Sequence, residues 1–296
     1  MQLSGVHVAL ATVLEPDCSL DLEATAAHAS GLIDRGVHGI VVNGSTAEFA
    51  TLSTAQRRRI AEEVIAIARG RVPVTVQVGA MSTAEAVAHA EHARDSGASA
   101  VMLVSPYYEP LQEREVEAYV RAVAGVGMPV MIYNNPAATG RSLTPELIAR
   151  LSELDEVSHV KDTTGDVRRI FEIAELCGER IQILNGQDTI ALLGFLAGAR
   201  ATVWGAPNAV PEACVRLWEL TVADLQLDAA RTLWAAMFPL MKFFEQHGYT
   251  AAVKAAAKLR GIDLGPPCHP TLPLEPERVE QLRAILQRLE TTLAGL

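Results

Sequence analysis

Three stretches, DRGVHGIVVNG (residues 34–44), DSGASAVMLVS (95–105) and LAGARATVWGA (196–206), share one grammar: a glycine able to close a helix, followed by an apolar run able to form a strand. Between them the same rhythm continues. Short β-branched runs at 6–11, 39–43, 74–79, 100–105, 130–134, 158–161, 181–185 and 201–204 read as strands. Amphipathic segments at 54–69, 83–96, 113–123, 145–154, 166–177 and 188–197 read as helices too long for hairpin turns, and so as crossovers between parallel strands. Eight such units predict an α/β fold, a (β/α)8 TIM barrel, with its core in residues 1–210. A doubly wound sheet would want a glycine-rich turn after its first strand, where this chain reads ALATVLEPD (9–17).

After Pro211 the pattern turns to helices alone, through AARTLWAAMFPLMKFFEQHG (229–248), TAAVKAAAKLRG (250–261) and EPERVEQLRAILQRLETTL (275–293). Residues 211–296 are therefore expected to form the last barrel helix and a helical C-terminal extension within the same structural unit. The proline-rich GPPCHPTLPLEP (265–276) reads as an ordered connector, being short and partly apolar.

Composition removes several classes. A length of 296 residues with 49% hydrophobic residues suits one large barrel, and a net charge of −10 offers no basic stripe for nucleic acid. The N-terminal sequence carries no cationic leader, and no apolar run approaches the ~20 residues of a membrane span, so a cytoplasmic protein without membrane contact is expected. Cys18, Cys177, Cys214 and Cys268 lie far apart without a C-x-x-C pair, and are expected as reduced thiols. His89 and His92 have a chelating spacing, but no third ligand accompanies them and a crossover helix accounts for both, so no metal is expected. No P-loop, G-x-S-x-G or H-E-x-x-H pattern occurs.

Lysine usage carries the chemistry. Only Lys161, Lys242, Lys254 and Lys258 occur, so Lys161 is the sole lysine in the first 241 residues, and it falls at the C-terminal end of the sixth strand, in SHVKDTTGD (158–166). Barrel enzymes place catalytic groups at that end, and an amine in an apolar pocket can act as a Schiff-base nucleophile. Pairing of Lys161 with Asp162 or Asp166 is the structural alternative. At the end of the second strand, NGSTAEF (43–49) offers Gly44 for close backbone approach, the hydroxyls of Ser45 and Thr46, and a run of N–H groups for a carboxylate; an ordinary helix-capping loop is the alternative. SPYYEP (105–110) and MIYNNPAATG (131–140) bring Tyr107, Tyr108 and Tyr133 to one rim, as proton carriers or as aromatic plugs.

In this order and spacing, GSTAE, SPYY, YNNPAATG, VKDTTGD and NGQD resemble, over essentially the whole chain, the dihydrodipicolinate synthase / N-acetylneuraminate lyase family of class I pyruvate-dependent aldolases. The resemblance implies that Lys161 forms an imine with the ketone of pyruvate and that Tyr133 moves protons there. It implies a relay of Thr46 and Tyr108, the latter reaching in from a neighbouring subunit of a homotetramer built as a dimer of dimers. Ser45 and Thr46 would hold the carboxylate, Gly186 and Val203 would line the pyruvate end, and no cofactor beyond the imine would be needed. Two positions depart from the pattern: Ala138 stands where an arginine commonly holds the second substrate's carboxylate, and Ala47 replaces a loop glycine. Arg141 lies nearby in sequence.

With Asn135 and Thr163 as neutral partners for hydroxyls, the expected activity is cleavage or formation of a 2-keto-3-deoxy sugar acid or related 2-oxo acid, giving pyruvate and an aldehyde. The alternative is condensation of pyruvate with aspartate semialdehyde, as in 4-hydroxy-tetrahydrodipicolinate synthase. Dehydration of a keto-deoxy sugar acid and a non-catalytic role on the same fold rank below these.

Overall fold

The computed structural model describes residues 2–295. Eight parallel strands close into a barrel in sequence order, as the repeat predicted. They are β1 (Gly5–Ala9), β2 (Gly39–Val42), β3 (Val74–Gln77), β4 (Ala100–Val104), β5 (Val130–Asn134), β6 (Val157–Asp162), β7 (Gln182–Asn185) and β8 (Ala201–Trp204), and β1 pairs with both β2 and β8. The helices are α1 (Leu22–Asp34), α2 (Thr54–Ala68), α3 (Thr83–Ser96), α4 (Glu113–Ala124), α5 (Pro136–Thr139), α6 (Pro145–Leu151), α7 (Arg168–Cys177) and α8 (Ala191–Leu196), followed by α9 (Pro211–Trp218), α10 (Leu227–Gln246), α11 (Tyr249–Leu259) and α12 (Pro276–Leu293).

Local chemistry sets the element ends. The Ser82 side chain accepts the Glu85 N–H at the start of α3, and Gly97, at φ +89°, closes it with a backbone N–H to Ala93, so this helix keeps its expected bounds. Ser53 and Gln56 form a capping box on α2. By contrast α7 starts at Arg168 rather than 166, because the Asp166 carboxylate accepts both the Arg168 N–H at 3.0 Å and its guanidinium at 2.7 Å and stays outside the helix.

Strand alternation divides the core into two layers. Ile40, Val42, Val101, Leu103, Ile132 and Val160 face outward into the helices. Val41, Met102, Met131, Tyr133, Leu184 and Val203 fill the barrel interior. A further apolar cluster joins Val6 and Trp204 of the barrel to Leu233, Met237, Phe244, Val253 and Leu286 of the C-terminal helices. Among the described residues no helix is long and apolar enough to cross a membrane.

The expectation of four reduced thiols is corrected. Cys18, in the loop after β1, and Cys268, in the connector between α11 and α12, form a disulfide with Cα atoms 5.3 Å apart across 250 residues of sequence. Tertiary folding brings them together, which no local spacing encodes. Cys177 and Cys214 are free and buried.

Candidate active site

Registry across β5 and β6 sets Tyr133 beside Lys161, and registry across β6 and β7 sets Lys161 beside Leu184. Both side chains belong to the inward set; Tyr133 is 6% exposed and Lys161 5%. The Lys161 Nζ stands 4.0 Å from the centroid of the Tyr133 ring. Asp162, one residue on, points to the opposite face, where its Oδ2 meets Arg169 Nε at 3.2 Å and Asn134 Nδ2 at 2.8 Å. Asp166 is paired with Arg168. The alternative of a Lys161 neutralised by Asp162 or Asp166 is therefore wrong, and no carboxylate among the described residues is in ion-pair contact with the Lys161 amine.

Gly186 is required by that lysine. A methyl group there would fall 2.6 Å from Lys161 Cε and 2.5 Å from Thr163 Oγ1, so only hydrogen lets the lysine stem pass. The Thr163 hydroxyl beside it is buried without a hydrogen-bond partner among the described residues. An unpaired buried hydroxyl costs about 1–3 kcal/mol and marks a place where a bound polar group would be favoured. Val203 is fully buried in the inner layer.

The loop after β2 is a tight turn whose bracketing residues, Asn43 and Glu48, both adopt left-handed backbone at φ 59°. Within it the Ala47 N–H donates to Gly44 O and the Glu48 N–H to Ser45 O. The N–H groups of Ser45 and Thr46 take no protein acceptor among the described residues, leaving two adjacent donors for an anion. Thr46 is buried and Ser45 exposed. Ala47 is accommodated without strain: its φ is not positive, and its carbonyl accepts the Thr12 hydroxyl at 3.0 Å.

At the end of β5, Asn135 Nδ2 donates to the Tyr133 phenol oxygen at 3.0 Å and so fixes that ring's tip. Ala138 follows in α5 and shares a cavity of about 220 Å³ with Ser45, Phe49, Val104 and Tyr107. Tyr107 meets Phe49 edge-on, with ring centroids 6.1 Å apart. Arg141 is half-buried, and its guanidinium makes no ion pair among the described residues. One chain does not bring Tyr108 into this group: it is 90% exposed and lines an outer groove with Met81 and Leu111. His89 tucks under α3 beside Glu85, and His92 pairs with Glu62 at 2.8 Å on the neighbouring helix.

Two pairings escaped the sequence reading. The Tyr249 hydroxyl donates to Asp188 Oδ2 at 2.7 Å and accepts the Gly205 N–H at 2.8 Å. Burial pushes the Asp188 carboxyl up to about 7, against the Tyr249 hydrogen bond and the positive charge of Lys161. Glu48 forms a buried ion pair with Lys254 at 2.7 Å. Asp188 lies within NGQD and Glu48 within GSTAE, but their partners sit 61 and 206 residues away, beyond any local pattern.

Comparison with known proteins agrees with this geometry. The sequence profile of the dihydrodipicolinate synthetase family matches residues 2–289. An uncharacterized DapA-like lyase of Halobacterium salinarum is 36% identical, over 97% of this chain and 94% of its own length. A 4-hydroxy-tetrahydrodipicolinate synthase of Methanospirillum hungatei is 31% identical, over 97% of this chain and 99% of its own. Among solved structures, YagE from E. coli K12, a prophage protein of the dihydrodipicolinic acid synthase family in complex with pyruvate, superposes with a TM-score of 0.92 at 27% identity, covering 98% of this chain and 99% of that one.

Proposed function

This chain belongs to the dihydrodipicolinate synthetase family and is a carbon–carbon lyase; on that premise we propose that it cleaves or forms a 2-keto-3-deoxy sugar acid, or a related 2-oxo acid, through an imine between pyruvate and Lys161. The observation that supports this reading most is the Lys161 amine itself, buried beside the Tyr133 ring and without a carboxylate partner among the described residues.

The Lys161 nitrogen attacks the ketone carbon, and the carbinolamine oxygen leaves as water with a proton passed from the Tyr133 phenol. The resulting iminium is an electron sink. When the phenolate of Tyr133 takes the proton from the C4 hydroxyl, the C3–C4 bond breaks, its electron pair forms the enamine, and the aldehyde departs. Protonation of the enamine at C3 and attack of water on the imine release pyruvate and restore the amine. The free N–H groups of Ser45 and Thr46 hold the carboxylate, with Gly44 giving it backbone approach, while Gly186 and Val203 bound the pyruvate end. No further cofactor takes part in this scheme. The exposure of Tyr108 supports its supply to a neighbouring subunit of a dimer-of-dimers tetramer, where it would join Thr46 in the relay. The cytoplasm is the proposed compartment, and there the Cys18–Cys268 disulfide would face reducing thiols.

Substrate choice turns on Ala138, Asn135 and Thr163. The cavity at Ala138 has no cation in its lining, whereas the unpartnered Thr163 hydroxyl and the Asn135 amide offer neutral groups to hydroxyls. A charge-assisted contact to a second carboxylate would be worth about 1.5–3 kcal/mol, so a rim without it disfavours aspartate semialdehyde by about ten- to a hundred-fold. Condensation with aspartate semialdehyde is the second reading, favoured by the name of the Methanospirillum relative and by Arg141, a cation three residues beyond Ala138 that makes no ion pair among the described residues. Both reactions should be measured side by side in the wild type and in Ala138→Arg. Sugar-acid cleavage should have the higher kcat/KM in the wild type, with condensation gaining in the variant; efficient condensation by the wild type without sugar-acid cleavage promotes the second reading.

A further inference from the structure

The carboxylate loop is held from behind by a segment far away in sequence. Glu48, two residues beyond Thr46 and in left-handed backbone, donates its N–H to Ser45 O within the turn. Its side chain is 6% exposed and is gripped at both oxygens: Oε1 lies 2.7 Å from Lys254 Nζ, and Oε2 accepts the backbone N–H of Cys268 at 2.6 Å. Lys254 in turn donates to Pro266 O at 3.0 Å. Loop, α11 and the 265–276 connector thus meet at one carboxylate.

The connector is tied down at discrete points rather than packed flat. A cavity of about 580 Å³ lies against it, lined by Leu14, Lys254, Pro266 and Pro267 among others. At Gly265 (φ +71°) the chain passes so close to Leu14 that a methyl would strike its carbonyl oxygen, so this crossing depends on backbone contact alone. Covalent attachment comes next, at Cys268, whose sulfur is bonded to Cys18 of the β1–α1 loop and whose own N–H is the donor to Glu48. Cys18 is half-buried, which leaves the bond within reach of a small thiol.

We propose that Glu48 is a positioning residue for the Ser45–Thr46 carboxylate loop, and that the Cys18–Cys268 disulfide keeps it in place through the Cys268 N–H, so that thiol exchange at this bond tunes affinity for the 2-oxo acid. The inference rests on the proposed pyruvate site. Its redox step is balanced by a dithiol: two electrons and two protons pass from the dithiol to the protein disulfide, giving two cysteine thiols and an oxidised dithiol. With the tether cut, the Cys268 N–H loosens from Glu48, the turn widens, and the two free N–H groups lose their shared aim at the carboxylate. Lys161 and Tyr133, on β6 and β5, stay where they are.

The test titrates pyruvate against trapping of the imine with cyanoborohydride, which reduces iminium ions and leaves disulfides intact, in four samples: the oxidised chain, the chain treated with dithiothreitol, Cys18→Ser and Cys268→Ser. Half-saturating pyruvate should rise by about three- to tenfold in the last three, the scale of one net hydrogen bond, with the trapping rate at saturation changed less than about twofold. Reoxidation should restore the reduced wild type, and dithiothreitol should have no further effect on Cys18→Ser. An unchanged half-saturation on reduction overturns the proposal, as does an equal response of Cys18→Ser. Loss of trapping rate and affinity together would make the disulfide a general staple and also overturn it. Failure of the oxidised chain to form any imine is a different result, against the pyruvate site itself.

Discussion

Arg169 Nε lies 3.2 Å from Asp162 Oδ2, so the carboxylate directly following Lys161 is claimed by a cation from α7. Both side chains are largely buried, at 13% and 8% exposure, and Arg169 also donates to Leu143 O at 2.6 Å. This pairing, with the alternation of β6, keeps the Lys161 amine available.

Arg169→Met should therefore cost more than a surface pair would. Removing one partner of a buried pair leaves an uncompensated charge, worth about 3–5 kcal/mol, and loosens the end of β6 that carries Lys161. Denaturant unfolding should show the loss of stability, and borohydride trapping with pyruvate should slow at least about tenfold in the fraction still folded. A variant with wild-type trapping would disconnect Arg169 from the site.

Tyr133→Phe should keep the fold and lose most turnover, by about 10²–10⁴-fold if the phenol moves the proton. Asn135→Ala, which removes only the 3.0 Å hydrogen bond to that phenol, should lose less. Steady-state kinetics decide: activity of Tyr133→Phe within about twofold of wild type would make the ring a packing element.

Stability should fall on the acid side through buried histidines. Burial lowers His7 and His28 to about 4, from an ordinary 6.5. Between these values the unfolded chain binds protons that the folded one refuses, so each histidine removes stability as pH falls from about 6.5 toward 4, at up to about 1.4 kcal/mol per pH unit. Asp188 runs the other way: its carboxyl, pushed up to about 7, favours the protonated folded state and loses stability as pH rises from its unfolded value toward 7. The histidine contribution is isolated by difference. His7→Gln should show a shallower decline of unfolding free energy between pH 6.5 and 4 than the wild type, by about one proton's slope; parallel curves would contradict the assignment.

The barrel was legible because its signals are local. Ser82 and Gly97 mark the ends of α3 within the helix itself, and a lone lysine at a strand end is visible without a structure. The residues proposed for the site carry the same local signal, since Gly44–Thr46, Tyr133–Asn135, Lys161–Thr163 and Gly186 each fall at or just past the C-terminal end of a strand. What stayed hidden depends on partners distant in sequence: Tyr249 on Asp188, Lys254 on Glu48, and Cys18 on Cys268. Tyr108 is a different case: it is 90% exposed in one chain, so the proposed relay needs a neighbouring subunit to bring it to Thr46.

The central claim, that Lys161 carries the chemistry, is tested most directly by reducing the protein with borohydride in the presence of pyruvate and mapping the modified peptide. One reduced pyruvyl group on Lys161, absent from Lys161→Ala, is the predicted result. Label on Lys242, Lys254 or Lys258, or label that survives Lys161→Ala, would contradict it.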